Sequence, residues 1–279
     1  MKKIIFLSLL SLLLVGCDKE NNNSGEVQFN DYGAFLGRID NDVTNFNKYK
    51  YISCELDEFG DSNINRLTQK GIKFFAYLNV GSLENYRDYY EDFESYTFLD
   101  YENWPDEKWL DITHTDWQEY VVNTLAKGFK NRNAFGVYLD NADVYSVAFE
   151  TGRNKEAFGI ALANIIKGIS NLGLKVMING GSEFIDDMLE QENDVIDSIW
   201  AYHQEEVFSL IKDYDNNIFG TQYTEDREYY QEIATKMKGK GKEVFLLEYT
   251  VNNLLIEDIR TYCSQNSYHY YISSSIELN

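Results

Sequence analysis

From residue 33 onward, short apolar runs alternate with longer amphipathic stretches. The apolar runs cover Ala34–Ile39, Tyr51–Leu56, Lys73–Val80, Phe135–Leu139, Lys175–Ile178, Ser198–Tyr202, Ile218–Tyr223 and Val244–Tyr249. Their length and β-branched or aromatic content read as buried strands. The stretches between them read as helices. Asp116–Phe129 places Trp117, Val121, Leu125 and Phe129 on one face, while Ile64–Lys70, Ala157–Leu172 and Tyr229–Lys238 end at Gly71, Gly173 and Gly239. Glycine just past the last turn is a common helix stop. Eight strand-like runs alternating with helices predict an α/β protein, a (β/α)8 TIM barrel, with residues 31–279 as one domain. A doubly wound open sheet shares the alternation, and the strand count favours the barrel.

The N-terminus follows a different pattern. Lys2 and Lys3 precede an apolar run from Ile4 to Val15 that is too short to span a bilayer and has the length of a secretory signal core. Leu14-Val15-Gly16-Cys17 resembles the bacterial lipobox, which marks residues 1–16 as a lipoprotein signal peptide and Cys17 as the lipidated residue. The alternative is an ordinary signal peptide with a chance cysteine. Residues 17–30, polar and rich in Asn, Ser and Gly, read as a flexible tether. The expectation is an exported protein in the periplasm or at the cell surface, held to a membrane by its acyl chains only.

Composition narrows the partners. With 25 Lys and Arg against 46 Asp and Glu, the formal net charge is −21. Nucleic-acid binders carry a basic footprint, so that class is excluded. An acidic surface suits a cationic substrate, or simply keeps the chain solvated. Only three His occur and none has zinc-site spacing with Cys, so no metal is expected. Cys54 and Cys263 are either two buried thiols or one disulfide. The 22 Tyr, 17 Phe and 4 Trp serve equally well in a core or under the faces of sugars.

In (β/α)8 barrels the reacting groups gather at the C-terminal ends of the strands. Asp140 and Asn141 directly follow Phe135–Leu139. Glu55 and Asp57 end the second run, Asn79 the third, Asn179 the fifth and Glu248 the eighth, and His203, Glu205 and Glu206 follow the sixth. An acid placed after an apolar strand costs desolvation unless it is hydrogen-bonded or functional. Any one of these could be a helix cap or a rim ion pair; as a ring on one face they outline a site. Two carboxyls across a cleft are what glycoside hydrolysis requires, one giving a proton to the leaving oxygen and the other attacking the anomeric carbon or activating water.

Three segments carry a more specific signal. Phe75-Ala76-Tyr77-Leu78-Asn79-Val80-Gly81-Ser82-Leu83-Glu84-Asn85-Tyr86-Arg87, then Trp109-Leu110-Asp111-Ile112 after Pro105, then Gly136-Val137-Tyr138-Leu139-Asp140-Asn141-Ala142-Asp143-Val144-Tyr145 together resemble the motifs of the endo-α-1,4-polygalactosaminidase family, glycoside hydrolase family 114. The resemblance implies a (β/α)8 barrel that cleaves α-1,4-linked galactosamine or N-acetylgalactosamine exopolysaccharide without a cofactor. It implies Asp140 as one catalytic acid, and the second as a Glu after the sixth strand. Glu205 is preferred for that role, with Glu206 opening the following helix. Asn141, Asp143 and Tyr145 match the polar residues around Asp140, and with the strand-end ring and the other motif residues the candidate substrate contacts are Asn79, Glu84, Arg87, Asp111, Tyr138, Asn141, Asp143, Tyr145, Asn179, Tyr202, Glu206 and Glu248. Glu84 and Arg87 are spaced to pair on one helical face. Two departures stand out: Ser82 where relatives carry an acid, and Arg132-Asn133-Ala134-Phe135 in place of a Gly-Phe-Asp approach. A surface glycan-binding lipoprotein without turnover, or an α-glycosidase of other polysaccharide specificity, are the competing readings.

Overall fold

A computed structural model describes residues 31–37 and 44–279. The signal peptide, Cys17 and the tether expected at the N-terminus lie outside the described residues, as do residues 38 and 39 of the first expected strand. Eight parallel strands form one sheet in chain order: β1 Tyr32–Phe35, β2 Tyr51–Cys54, β3 Lys73–Asn79, β4 Gly136–Asp140, β5 Lys175–Asn179, β6 Ile199–Glu205, β7 Glu243–Tyr249 and β8 His269–Ser273. β8 returns beside β1, where His269 Nδ1 meets Asp31 Oδ1 at 2.5 Å and Tyr271 packs on Phe35. The sheet is a nearly closed (β/α)8 barrel.

Two expectations about the strands need correction. Ile218–Tyr223 is not a barrel strand; Ile218–Thr221 pairs antiparallel with Ser209–Asp213 in a hairpin outside the barrel, and Ile218 is half exposed. The eighth position belongs to β8, which makes Val244–Tyr249 part of β7. A third set of strands, Ser82–Glu84, Thr97–Asp100 and Glu107–Leu110, forms a small antiparallel sheet inserted after β3. Both insertions leave from the C-terminal ends of barrel strands and rise around the same mouth.

The barrel interior is filled from the inward-facing positions of the strands. Tyr32, Tyr51, Phe75, Tyr138, Met177, Ala201, Phe245 and Leu247 form a continuous buried cluster. Phe75 stacks on Trp200 at 5.4 Å between ring centroids and Tyr51 meets Phe245 edge-on at 5.4 Å. Much of the aromatic content is therefore core. A second and larger cluster lies between the strands and the surrounding helices. There the face expected over 116–129 is seen in Thr115–Tyr120, a π-helical stretch Val121–Ala126 and Lys127–Asn131, with Trp117 fully buried and its Nε1–H donating to Val80 O at 3.1 Å. Gly71 and Gly173 turn the chain with positive φ, as expected, whereas the helix Thr224–Gly239 runs through Gly239 and turns at Gly241. Cys54 and Cys263 are both buried free thiols.

Candidate active site

Where β4, β5 and β6 end side by side, the sequence places Asp140, Asn179 and Glu205 in adjacent strands. Asn179 is the hinge of the arrangement. Its Nδ2 donates to Asp140 Oδ1 at 2.8 Å and to Glu205 Oε1 at 2.8 Å. Two bonds of 2.8 Å from one nitrogen hold those oxygens within twice that length, about 5.6 Å. Glu205 also accepts from Tyr138 OH at 3.1 Å and from Tyr249 OH at 2.6 Å. Asp140 is further hydrogen-bonded by the Tyr77 hydroxyl and the backbone N–H of Asn141. Burial first, and the Glu205 charge second, push the Asp140 carboxyl up to about 6 against these donors.

The backbone is bent to make this possible. Asn141 adopts φ 58°, a left-handed conformation that Asn tolerates better than most residues, and this turns the chain sharply after Asp140. Gly180, at φ 62°, follows Asn179; a Cβ there would lie 2.3 Å from Asp143 Oδ2, so only glycine lets Asp143 tuck beneath the site and accept from Gly181 N at 2.9 Å. Burial pushes the Asp143 carboxyl up to about 6.

The cleft above the pair has a volume of about 520 Å³, sufficient for part of an oligosaccharide. Its walls are the two insertions and the C-terminal segment. On one side Glu107, from the small sheet, accepts from Ser82 Oγ at 2.5 Å, Asn79 Nδ2 at 3.2 Å and Asn141 Nδ2 at 3.3 Å. Burial, reinforced by Glu84 and Asp140, pushes Glu107 up to about 7. Behind it, Arg87 bridges Glu84 at 2.6 Å and Glu55 at 2.8 Å. On the other side Glu206 lines the cleft, pushed up to about 7 by burial. Trp104 and Tyr214, one from each insertion, meet edge-on at 6.0 Å across the mouth.

The family model for "Glycoside-hydrolase family GH114" matches residues 22–274. The chain belongs to glycoside hydrolase family GH114. This enzyme is therefore a glycoside hydrolase. Its fold is similar to that of the glycoside hydrolase domain of PelA from Pseudomonas aeruginosa, with a TM-score of 0.73 at 15% identity over 89% of this chain and 95% of that one. It is similar as well to Aspergillus fumigatus Ega3, solved in complex with galactosamine, with a TM-score of 0.71 at 17% identity over 90% and 93%. An uncharacterized protein of Thermotoga maritima is 26% identical over 140 residues, 47% of this chain. The match spans 39% of that relative's length.

Within this GH114 barrel the residues singled out from sequence separate into groups. Asp140, Glu205, Glu206, Glu84, Asn141, Asp143 and Asn179 line the cleft. Asn79, Tyr138 and Arg87 lie just behind the lining and hold it through the bonds described above. Four lie elsewhere. Asp111 Oδ1 accepts from Thr113 N and Oγ1 and closes a turn. Tyr145 bonds Asp187 at 2.7 Å beside Lys155, in a groove between helices. Tyr202 is fully buried and donates to Gln204 Oε1. Glu248 is buried, accepts from Phe208 N, Ser209 N and Ser209 Oγ, and pins the base of the hairpin.

Three further expectations change. Glu206 does not open a helix; it sits at φ 56° and its carboxylate accepts from Ile211 N, so the chain turns into the hairpin instead. Glu84 and Arg87 do pair, but from a strand and the turn after it rather than along a helix. Asp57 points away from the cleft to Arg132, whose guanidinium also binds Asp61 and the Leu56 and Phe59 carbonyls. Sequence reasoning missed Glu107, Tyr249, Gln204 and Trp104. Only Glu107 carried a usable signal, an acid two residues before the Trp109-Leu110-Asp111-Ile112 motif and so on the same face as Trp109.

Proposed function

We propose that this glycoside hydrolase cleaves within α-1,4-linked galactosamine polymers, acetylated or partly deacetylated, as an exported enzyme, with Asp140 and Glu205 as its catalytic pair. The observation that carries the reading is the Asn179 amide, which holds one oxygen of each carboxyl within about 5.6 Å of the other. Retaining glycosidases keep their carboxyls roughly 5–5.5 Å apart, whereas inverting enzymes need roughly 6.5–9.5 Å to admit water. The spacing supports retention.

In that mechanism Asp140 attacks the anomeric carbon while the Glu205 carboxyl gives its proton to the departing glycosidic oxygen. A glycosyl ester forms on Asp140 and the downstream chain leaves as an alcohol. Water, deprotonated by Glu205, then releases the upstream chain and restores both carboxyls. Tyr138, Tyr249 and Asn179 keep Glu205 fixed throughout. A deacetylated amino sugar is cationic, and Glu107 and Glu206 line the cleft and attract it once ionised, above about pH 7.

The test is incubation with a panel of defined polysaccharides while following reducing ends and product length. Release of mixed oligosaccharides from galactosamine polymers supports endo-cleavage. Turnover of a different α-glycan would replace the substrate assignment, and binding without turnover would replace the enzymatic one. Lipid attachment at Cys17 belongs to the same proposal; palmitate labelling that persists in Cys17→Ala would overturn it.

A further inference from the structure

The carboxyl pair depends on the rotamer of Asn179, and that amide has two faces. Nδ2 must point to Asp140 and Glu205, because turning Oδ1 toward two carboxylates would set three acceptors against one another. Oδ1 then faces inward, where His203 Nδ1 lies 2.6 Å away. An acceptor at that distance requires a proton on Nδ1. The same nitrogen is 3.4 Å from the hydroxyl of Tyr138, which itself donates to Glu205. On the far side of the ring, Nε2 is 3.2 Å from Tyr32 OH, and the phenol donates to Ser53 Oγ at 3.0 Å. The imidazole is fully buried among Tyr32, Tyr138 and Phe245, and burial lowers its proton affinity to a pKa of about 3.

We propose that His203 is a positioning residue for the hydrolysis proposed above: held as the neutral Nδ1–H tautomer, its single ring proton fixes Asn179 and Tyr138 so that both donate to Glu205, and Asn179 also to Asp140. The inference rests on that reading of the pair and adds the element that determines its geometry. The opposite tautomer would leave Nδ1 bare and draw the Asn179 amide or the Tyr138 hydroxyl away from the carboxyls. His203 does no proton transfer; it makes one orientation of its neighbours much better than the other.

Two measurements test this. Long-range 1H–15N correlation spectra of the labelled enzyme, which has three His, read the tautomer directly. The expected result is a pyrrole-like Nδ1 and a pyridine-like Nε2 for His203, unchanged between about pH 5 and pH 8. An Nε2–H tautomer or an imidazolium in that range would overturn the proposal. Because this readout does not use activity, an Nδ1–H tautomer in an enzyme that cleaves no galactosamine polymer would sink the substrate assignment and leave the positioning intact. The second measurement contrasts His203→Asn, whose amide N–H falls near the lost Nδ1–H, with His203→Gln, whose amide falls near Nε2. A displacement of about 1 Å in a catalytic group can cost on the order of 100-fold. His203→Gln should lose kcat on that scale, with KM little changed and the alkaline limb of its pH profile shifted. His203→Asn should retain kcat within about tenfold of the wild type. Equal kcat and identical pH profiles in the two variants would refute the role of the Nδ1 proton.

Discussion

Replacing Asn179 by Ala removes the donor common to both carboxyls and tests how the pair is held. A hydrogen bond to a charged acceptor is worth about 1.5–3 kcal/mol, so the two bonds from Nδ2 together contribute about 3–6 kcal/mol to the ionised pair. Two unit charges about 5 Å apart repel by about 3 kcal/mol at an effective dielectric of about 20. The amide therefore offsets the repulsion, and without it Asp140 keeps its proton to higher pH. Water entering the vacated space recovers part of the loss, so the expected rise is about 1 pKa unit rather than 2. The Asp140 carboxyl, at about 6 in the native enzyme, should then lose its proton near neutral pH. The assay is kcat/KM against pH on a soluble oligosaccharide, with circular dichroism to confirm the fold. The acid limb of the profile, set by Asp140, should move to higher pH, and kcat at the optimum should fall by on the order of 100-fold as the carboxyls lose their common anchor. A folded Asn179→Ala enzyme with an unmoved acid limb would show that the amide does not set the ionisation of Asp140.

Other outcomes follow from the same geometry. Raising salt from about 0.1 M to about 1 M shortens the screening length from about 10 Å to about 3 Å, so KM for a partly deacetylated polymer should rise while KM for a fully acetylated one holds; equal behaviour of the two would remove the electrostatic part of substrate recognition. Burial raises Glu107, Glu206 and Glu248 to about 7, well above an unfolded carboxyl, so the folded chain binds more protons than the unfolded one in between. Their contribution to stability is fully present at acid pH and is lost as pH rises through about 7, and calorimetry should show Tm falling from pH 5 to pH 8; a rising Tm contradicts it. Glu248→Ala strands the Phe208 and Ser209 N–H groups, which should cost about 2–4 kcal/mol and lower Tm by about 5–15 °C; an unchanged Tm would mean that the carboxylate does not anchor the hairpin.

Most of the barrel is legible in the sequence because its strands are buried on both faces and so appear as continuous apolar runs. The errors fall where that rule fails. Ile218-Phe219-Gly220-Thr221 is apolar enough to read as a barrel strand, yet it forms half of a hairpin with one face in solvent. His269-Tyr270-Tyr271-Ile272-Ser273 completes the barrel although polar residues bound it at both ends, and its His is held by Asp31 from the other end of the described chain. β6 extends through His203, Gln204 and Glu205 because the barrel satisfies these polar groups internally, which no local pattern reveals. Asp140 and Glu205 were readable as acids at strand ends. Glu107 stands two residues before Trp109, but its place in the cleft is not legible, because the insertion brings it back to Ser82, 25 residues away, in a long-range contact. Ser82, a departure from the motif that the sequence resembles, is the position that binds this carboxylate.

The most direct test of the account is hydrolysis of a partly deacetylated α-1,4-galactosamine polymer by the wild type, Asp140→Asn and Glu205→Gln, with all three shown to be folded. The wild type should generate reducing ends, and each variant should lose turnover by on the order of 1,000-fold or more. Undiminished turnover in Asp140→Asn would contradict the assignment of this carboxyl to the chemistry, and with it the site.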